Sequence, residues 1–291
     1  MTTTVGDFDG NGWTDLASRL ESAGGEQAAT AICFNGATGL ADGTHSVTAW
    51  MEDIAGNRSP MSPALNFTLE TTAPTGGIVT TESDPTRAGL DSVTIKFSVP
   101  VQGLELSDLQ LRKGLGGNLL TGAQTLTTTD NMTWTLGDLS GLTATPGAYT
   151  LTLGGSGSGI ADLAGNAMAA GATQPITVYA RGDLDKDGTV SGPDIDQVYA
   201  HFGDYPACDM NHDGVVDQAD VDELVKNVLH VAYGDANLDG KVDFIDFQTV
   251  VDHWQQPAGW ATGDFTGDRK CDFLDFQKLL DNWNPTGGDG R

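Results

Sequence analysis

Residues 92–99 read SVTIKFSV, with Val93, Ile95, Phe97 and Val99 on one side and Ser92, Thr94, Lys96 and Ser98 on the other. Strict alternation matches the two-residue period of a strand that has one face in a core and one in water. Shorter segments of the same character recur at 132–136 (MTWTL), 148–153 (AYTLTL) and 175–180 (PITVYA), separated by Gly, Asp and Pro turns. Short strands at such intervals predict a β-sandwich over residues 74–180. Beyond it the period changes. Phe247, Val250, Val251 and Trp254 fall at i, i+3, i+4 and i+7, which is the apolar stripe of an amphipathic helix. A helical pattern of this kind follows each of four acidic segments.

Those segments are DLDKDGTVSGPD from Asp183, DMNHDGVVDQAD from Asp209, DANLDGKVDFID from Asp235 and DFTGDRKCDFLD from Asp264, so their starts lie 26, 26 and 29 residues apart. A near-constant period marks a repeated supersecondary unit. The spacing has a chemical reason. A hard cation such as Ca²⁺ takes six to eight oxygens, and a 12-residue loop supplies them from positions 1, 3, 5, the carbonyl of 7, 9 and a carboxylate at 12, with Gly at 6 for the turn. Loop one offers Asp183, Asp185, Asp187, the Thr189 carbonyl, Ser191 and Asp194. Loop two offers Asp209, Asn211, Asp213, the Val215 carbonyl, Asp217 and Asp220. Loop three offers Asp235, Asn237, Asp239, the Lys241 carbonyl, Asp243 and Asp246. Loop four offers Asp264, Thr266, Asp268, the Lys270 carbonyl, Asp272 and Asp275, but Arg269 replaces the turn Gly. A non-Gly residue at positive φ is disfavoured, so loop four is expected to bind most weakly. Position 8 is Val190, Val216, Val242 or Cys271, apolar where two paired loops would share a short strand contact. Cys271 is expected to be a small buried hydrophobe. Three to four calcium ions are expected in all.

Position 12 is Asp in every loop, where the EF-hand has Glu, and a strand and linker rather than a helix precede loop one. This loop-then-helix unit resembles the bacterial dockerin type I family over residues 182–284. The resemblance implies two EF-hand-like modules, 181–232 and 233–285, each folding around two calcium ions, with 286–291 as a tail. It also implies docking to a cohesin-like or other cell-surface protein, with partner choice read at loop positions 10 and 11. Here those are Gly192–Pro193, Gln218–Ala219, Phe244–Ile245 and Phe273–Leu274, without the hydroxyl pair of cellulosomal modules. Phe244, Ile245, Phe273 and Leu274 are either an apolar interface or part of each module's own core; spacing leaves both open. Trp254 and Trp283 close helices and are expected to pack on their own module.

A second repeat, DIAGN from Asp53 and DLAGN from Asp162, lies 109 residues apart, about one sandwich domain. It resembles the turn before the last strand of bacterial Ig-like domains, with TTAP (71–74) as the linker between copies. On that reading 74–180 is one Ig-like sandwich, and 41–73 holds the last strands of an incomplete earlier copy. Asp53 and Asp162 are then turn formers, while Trp50 and Trp134 belong to cores. The start, GDFDGNGWTDLA, puts Asp7, Asp9, Asn11 and Asp15 in a run similar to the calcium loop of FG-GAP or VCBS propeller repeats. Residues 1–40 are read as a fragment of that type and as an open candidate for one more ion.

Charge sharpens the picture. Lys and Arg number 14 and Asp and Glu 40, for a net charge of −26, which leaves no phosphate-neutralising surface for nucleic acid. The 39 glycines fit turn-rich architecture. Cys33, Cys208 and Cys271 are too few and too scattered for a disulfide framework or a zinc site. No run reaches the roughly 18 apolar residues of a membrane span. No basic leader is visible at the start, which leaves a cytosolic protein or the C-terminal part of a longer one; the domain content favours the second, an extracellular or cell-surface protein. Weak extracellular calcium loops fill only where free calcium is plentiful. No nucleophile elbow, zinc helix or phosphate loop appears, so no enzyme activity is expected. The expected fold is multidomain, an all-β Ig-like sandwich followed by small α-helical calcium modules. The expected function is non-catalytic, with the sandwich as spacer and the calcium modules as docking device. The alternative is an appendage of a polysaccharide-degrading enzyme, meeting polysaccharide through the parent protein.

Overall fold

The structure, a computed structural model, describes residues 2–6, 15–21, 27–34, 41–52, 56–203 and 206–286. Contacts divide the chain into two units: 1–74 with 161–167, and 75–160 with 168–291.

In the first unit, β1 (Thr2–Gly6), β2 (Asp15–Glu21), β3 (Gln27–Phe34), β4 (Gly43–Glu52) and β5 (Leu65–Leu69) form one antiparallel meander in chain order. The segments 1–40 and 41–73, which the sequence separates, therefore contribute strands to a single sheet. Trp50 on β4 is buried, with the Arg58 guanidinium 3.9 Å above its ring, a cation–π contact. The DLAGN segment closes as a turn: Asp162 accepts from the Asn166 backbone N–H (2.8 Å) and side-chain amide (2.9 Å). Those bonds hold the Asp162 carboxyl below its usual range. The matching Asp53 lies outside the described residues, as do Asp7, Asp9 and Asn11; Asp15 opens β2.

The second unit begins with a sandwich. Its strands, in chain order, are β6 (Gly76–Ile78), β7 (Val93–Phe97), β8 (Val101–Gln102), β9 (Leu109–Lys113), β10 (Leu126–Thr128), β11 (Thr133–Leu136), β12 (Gly147–Leu153) and β14 (Ala172–Val178); β13 (Ala161–Asp162) falls in the first unit's turn. One sheet has the order β10-β11-β7-β6 and the facing one β14-β12-β9. The alternation read at 92–99 sends Val93, Ile95 and Phe97 inward, but the strand ends at Phe97 and Val99 is only half-buried. Across the core stand Leu109 and Leu111 of β9, Tyr149, Leu151 and Leu153 of β12, and Ile176 and Val178 of β14. Trp134 packs against this cluster from its half-buried position, its indole N–H donating to the Asn131 carbonyl. Pro175, which cannot donate to a ladder, sits opposite Thr150 on β14 at the margin of its sheet.

After β14 the chain turns helical: α1 (Gly192–Ala200), α2 (Gln218–Asp222) continued by a π-helical stretch (Glu223–Val228), α3 (Phe244–Asp252) and α4 (Phe273–Asp281). The protein is thus mainly β with a small helical region at its C-terminal end. One buried cluster runs through that region from Leu184 to Leu279, so residues 181–232 and 233–285 share a core. The chain joining sandwich to helices is pinned. Arg181 donates to the Thr86 and Met210 carbonyls (3.1 and 2.9 Å) and meets Glu223 at 2.6 Å, while Lys186 meets Glu82 at 2.5 Å.

Candidate metal centre

Each acidic segment folds into the same loop and hands over to its helix at the same place. The position-12 carboxylate is fully buried in all four. One of its oxygens accepts the backbone N–H groups of positions 2 and 3, and the other that of position 9. For Asp194 the donors are Leu184 (2.7 Å), Asp185 (3.0 Å) and Ser191 (2.8 Å). For Asp220 they are Met210, Asn211 and Asp217. For Asp246 they are Ala236, Asn237 and Asp243, and for Asp275 they are Phe265, Thr266 and Asp272. The bond to position 9 is the return half of a capping box, because position 9 is the N-cap of the helix and position 12 its N3. Asp217, Asp243 and Asp272 complete it by accepting from the backbone two residues on. One carboxylate therefore closes the loop and starts the helix.

The remaining acids fold inward by the same logic. The position-1 carboxylate accepts the position-6 N–H: Gly188 on Asp183, Gly214 on Asp209, Gly240 on Asp235 and Arg269 on Asp264. Position 5 accepts from position 7 throughout, as in Asp187 from Thr189 (2.8 Å), Asp213 from Val215, Asp239 from Lys241 and Asp268 from Lys270. Among the described residues, two groups of three carboxylates bring a ligand oxygen each within 4.8 Å of one another: Asp183 with Asp185 and Asp187, and Asp264 with Asp268 and Asp275. Loops two and three carry Asn211 and Asn237 at position 3 instead, each amide donating to the position-5 carboxylate.

The electrostatics are those of anions held short of compensation. Burial pushes the carboxyls of Asp183, Asp194, Asp246, Asp264 and Asp275 up, and neighbouring carboxylates add to it. Burial carries Asp235 to about 6. Asp187 goes the other way, held down by the Thr189 hydroxyl and N–H. Asp183 is buried, yet its Oδ1 has no hydrogen-bond partner. A buried carboxylate oxygen without a donor is costly. A cation drawn to the three convergent carboxylates would satisfy that atom, so the donor set fits a hard, oxygen-loving metal.

Loop four departs where the sequence says it should, and the structure adds a reason. Position 4 is left-handed in every loop, at Lys186, His212, Leu238 and Gly267. Arg269 at position 6 also adopts φ 68°, so the loop keeps its shape at the expense of strain. The glycine has moved to position 4, where a Cβ would lie 2.1 Å from the Tyr199 ring. Thr266 at position 3 turns its hydroxyl toward Asp264 (3.4 Å).

The position-8 residues do not form the expected strand contact with one another among the described residues. Three of the four pair with the chain leaving another helix: Val242 with Asn284, Cys271 with Gln255 and Gln256, and the Val216 carbonyl with the Gly203 N–H. Cys271 is fully buried and donates its thiol to the Val250 carbonyl; Cys208 is also a buried free thiol, and burial pushes both up to about 11.

The apolar pairs at positions 10 and 11 are exposed: Phe244 65%, Ile245 58%, Phe273 64% and Leu274 56%. They begin two matching stripes, Phe244, Phe247 and Val251 on α3 with Trp254 just past its end, and Phe273, Phe276 and Leu280 on α4 with Trp283 just past its end. Rings within them touch, Phe247 with Phe276 at 6.0 Å and Trp254 edge-on to Phe276 at 6.3 Å. Trp254 and Trp283 are each more than two-fifths exposed, less covered than the sequence suggested. Sequence reasoning also missed Trp260, fully buried at the centre of the helical cluster. It lies in an aperiodic segment, and no local signal marks it.

Neither a protein-family model nor a curated protein matches the chain. Among solved structures it is similar to the D00-D0 domain of Intimin, at 14% identity over 56% of this chain and 77% of that one, with a TM-score of 0.20. A likeness of that size carries no argument, and the reading rests on the residues above. Among the described residues no helix is long and apolar enough to cross a membrane.

Proposed function

We propose that residues 181–285 bind calcium through four dockerin-like, EF-hand-like loops, and that an Ig-like sandwich presents them outside the cell for docking to a surface or scaffold protein. The observation that carries the metal half is the buried, unpartnered Oδ1 of Asp183 beside two further carboxylates. Asp183, Asp185, Asp187 and Asp194 hold the first ion, with the Thr189 carbonyl and Ser191; Asp264, Asp268, Asp275 and their neighbours hold the fourth. Calcium supplies charge compensation and cross-links the loop. The chain's own residues set where each helix begins. The exposed pairs Phe244–Ile245 and Phe273–Leu274 support the docking half, since large apolar side chains in the open on equivalent positions suit a protein partner. No catalysis enters this reading.

Calcium titration of the full chain with ions counted by native mass spectrometry is the test. Four ions support every loop, three leave one loop unfilled, and none overturns the proposal. Docking is tested by presenting the calcium-loaded chain to a panel of cohesin-type modules. Retention lost in both chelator and the Phe244→Ser/Phe273→Ser variant supports it, and retention indifferent to both refutes this surface.

A further inference from the structure

The four loops were expected as two pairs, yet the residues that shape loop four come from the first pair. Tyr199 lies on α1, the helix that loop one starts. Its ring lies against Gly267 of loop four, close enough that no side chain fits there. Its hydroxyl donates to the Phe265 carbonyl at position 2 (3.1 Å). One turn earlier on the same helix, Asp196 accepts the Trp260 backbone N–H (2.8 Å). The Trp260 indole then donates to the carbonyl of Asp235, the first residue of loop three (2.8 Å), and its ring packs edge-on against Phe265 at 5.3 Å. At the near end of α1, Asp194 is both the closing acid of loop one and the N3 cap of the helix. Loop one is thereby joined to loops three and four through nine residues of a single helix.

We propose that Tyr199 is a positioning residue for the fourth metal loop, and that metal in loop one strengthens metal binding in loop four through α1. This rests on the metal reading above. A cation between Asp183, Asp185 and Asp187 fixes the loop that orients α1, and α1 carries Tyr199 and Asp196 to their contacts. Loop four needs such bracing because Arg269 holds a left-handed conformation that an arginine resists. The coupling is reciprocal, since two sites that share an ordering element must influence each other equally.

The test follows two backbone amides by NMR during calcium titration of the full chain, Gly188 for loop one and Gly267 for loop four. In Tyr199→Ala the midpoint at Gly267 is expected to rise about tenfold, within the usual range of coupling between sites, with a smaller change at Gly188. Tyr199→Phe, which keeps the ring, is expected to recover most of the loss. Asp185→Asn/Asp187→Asn removes two exposed carboxylates without touching the core, so it keeps the test open if the alanine variant does not fold. It too should raise the Gly267 midpoint, by about fivefold. A wild-type midpoint at Gly267 in both variants overturns the proposal while leaving the metal sites standing. If neither amide responds in the wild-type chain, the metal reading fails and takes this inference with it.

Discussion

The sandwich and the helical region bury different things. In the sandwich the core from Leu90 to Val178 is apolar, and buried polar groups such as Thr143 are neutral and bonded, here to Leu90 and Leu139. In the helical region Asp183, Asp194, Asp220, Asp235, Asp246, Asp264 and Asp275 all lie beneath the surface. Burying a carboxylate costs several kcal/mol unless something compensates it. Backbone N–H groups compensate part of that cost, and on the proposed reading the remainder comes from a cation. One region carries its stability within its own side chains; the other leaves part of it to the solvent's ions.

The largest expected contrast follows directly. Chelation should abolish the helical circular dichroism of residues 181–285 while the sandwich keeps its cooperative thermal transition. Helix signal unchanged by EDTA would sink the metal-dependent fold.

Acid should act on the same contrast with a defined sign. Asp235 sits near 6 in the folded protein, well above an unfolded carboxyl near 4, and the other raised acids shift the same way. The metal-free folded state thus holds protons that the unfolded chain has released. Its stability is greatest below about pH 4 in this respect and falls as pH rises through 6. Metal-free protein should therefore regain helix between pH 7.5 and pH 5, with Asp235 alone contributing on the order of 1 kcal/mol over that interval. With calcium present the direction reverses, because protons compete for the same oxygens. A metal-free chain that loses helix as pH falls to 5 would refute this assignment. The sandwich should not respond over this range.

The smallest effect sharpens the comparison within the helical region. Arg269→Gly should relieve about 1 kcal/mol of left-handed strain and tighten loop four roughly fivefold. Calorimetry that gives an unchanged or weaker fourth site would show that the strain is not what sets it.

Much of this could be read from residue order alone, and the exceptions share a cause. The alternation at Val93, Ile95 and Phe97 and the acid offsets of four loops are local patterns, and local patterns survive in a sequence. β9 was missed because Leu109 and Leu111 give an alternation too brief to stand out. The surface or core status of Phe244 and Phe273 stayed open because a stripe on a short helix looks the same from either side; exposure decided it. Trp260, Tyr199 and Asp196 were invisible because each acts on a partner some 25 to 66 residues away. The strain at Arg269 was legible, but Gly267 as its counterpart was not, since its reason is a ring on another helix.

The pinned junction at Arg181 has a mechanical consequence. Between the end of β14 at Val178 and the first acid, Asp183, there is almost no slack, and Arg181 and Lys186 tie the intervening chain to both neighbours. A pull on the C-terminal end is therefore not absorbed by a linker. It passes through loop one into the edge of the sandwich, so on the proposed reading the protein's resistance to being stretched would depend on the ion in that loop.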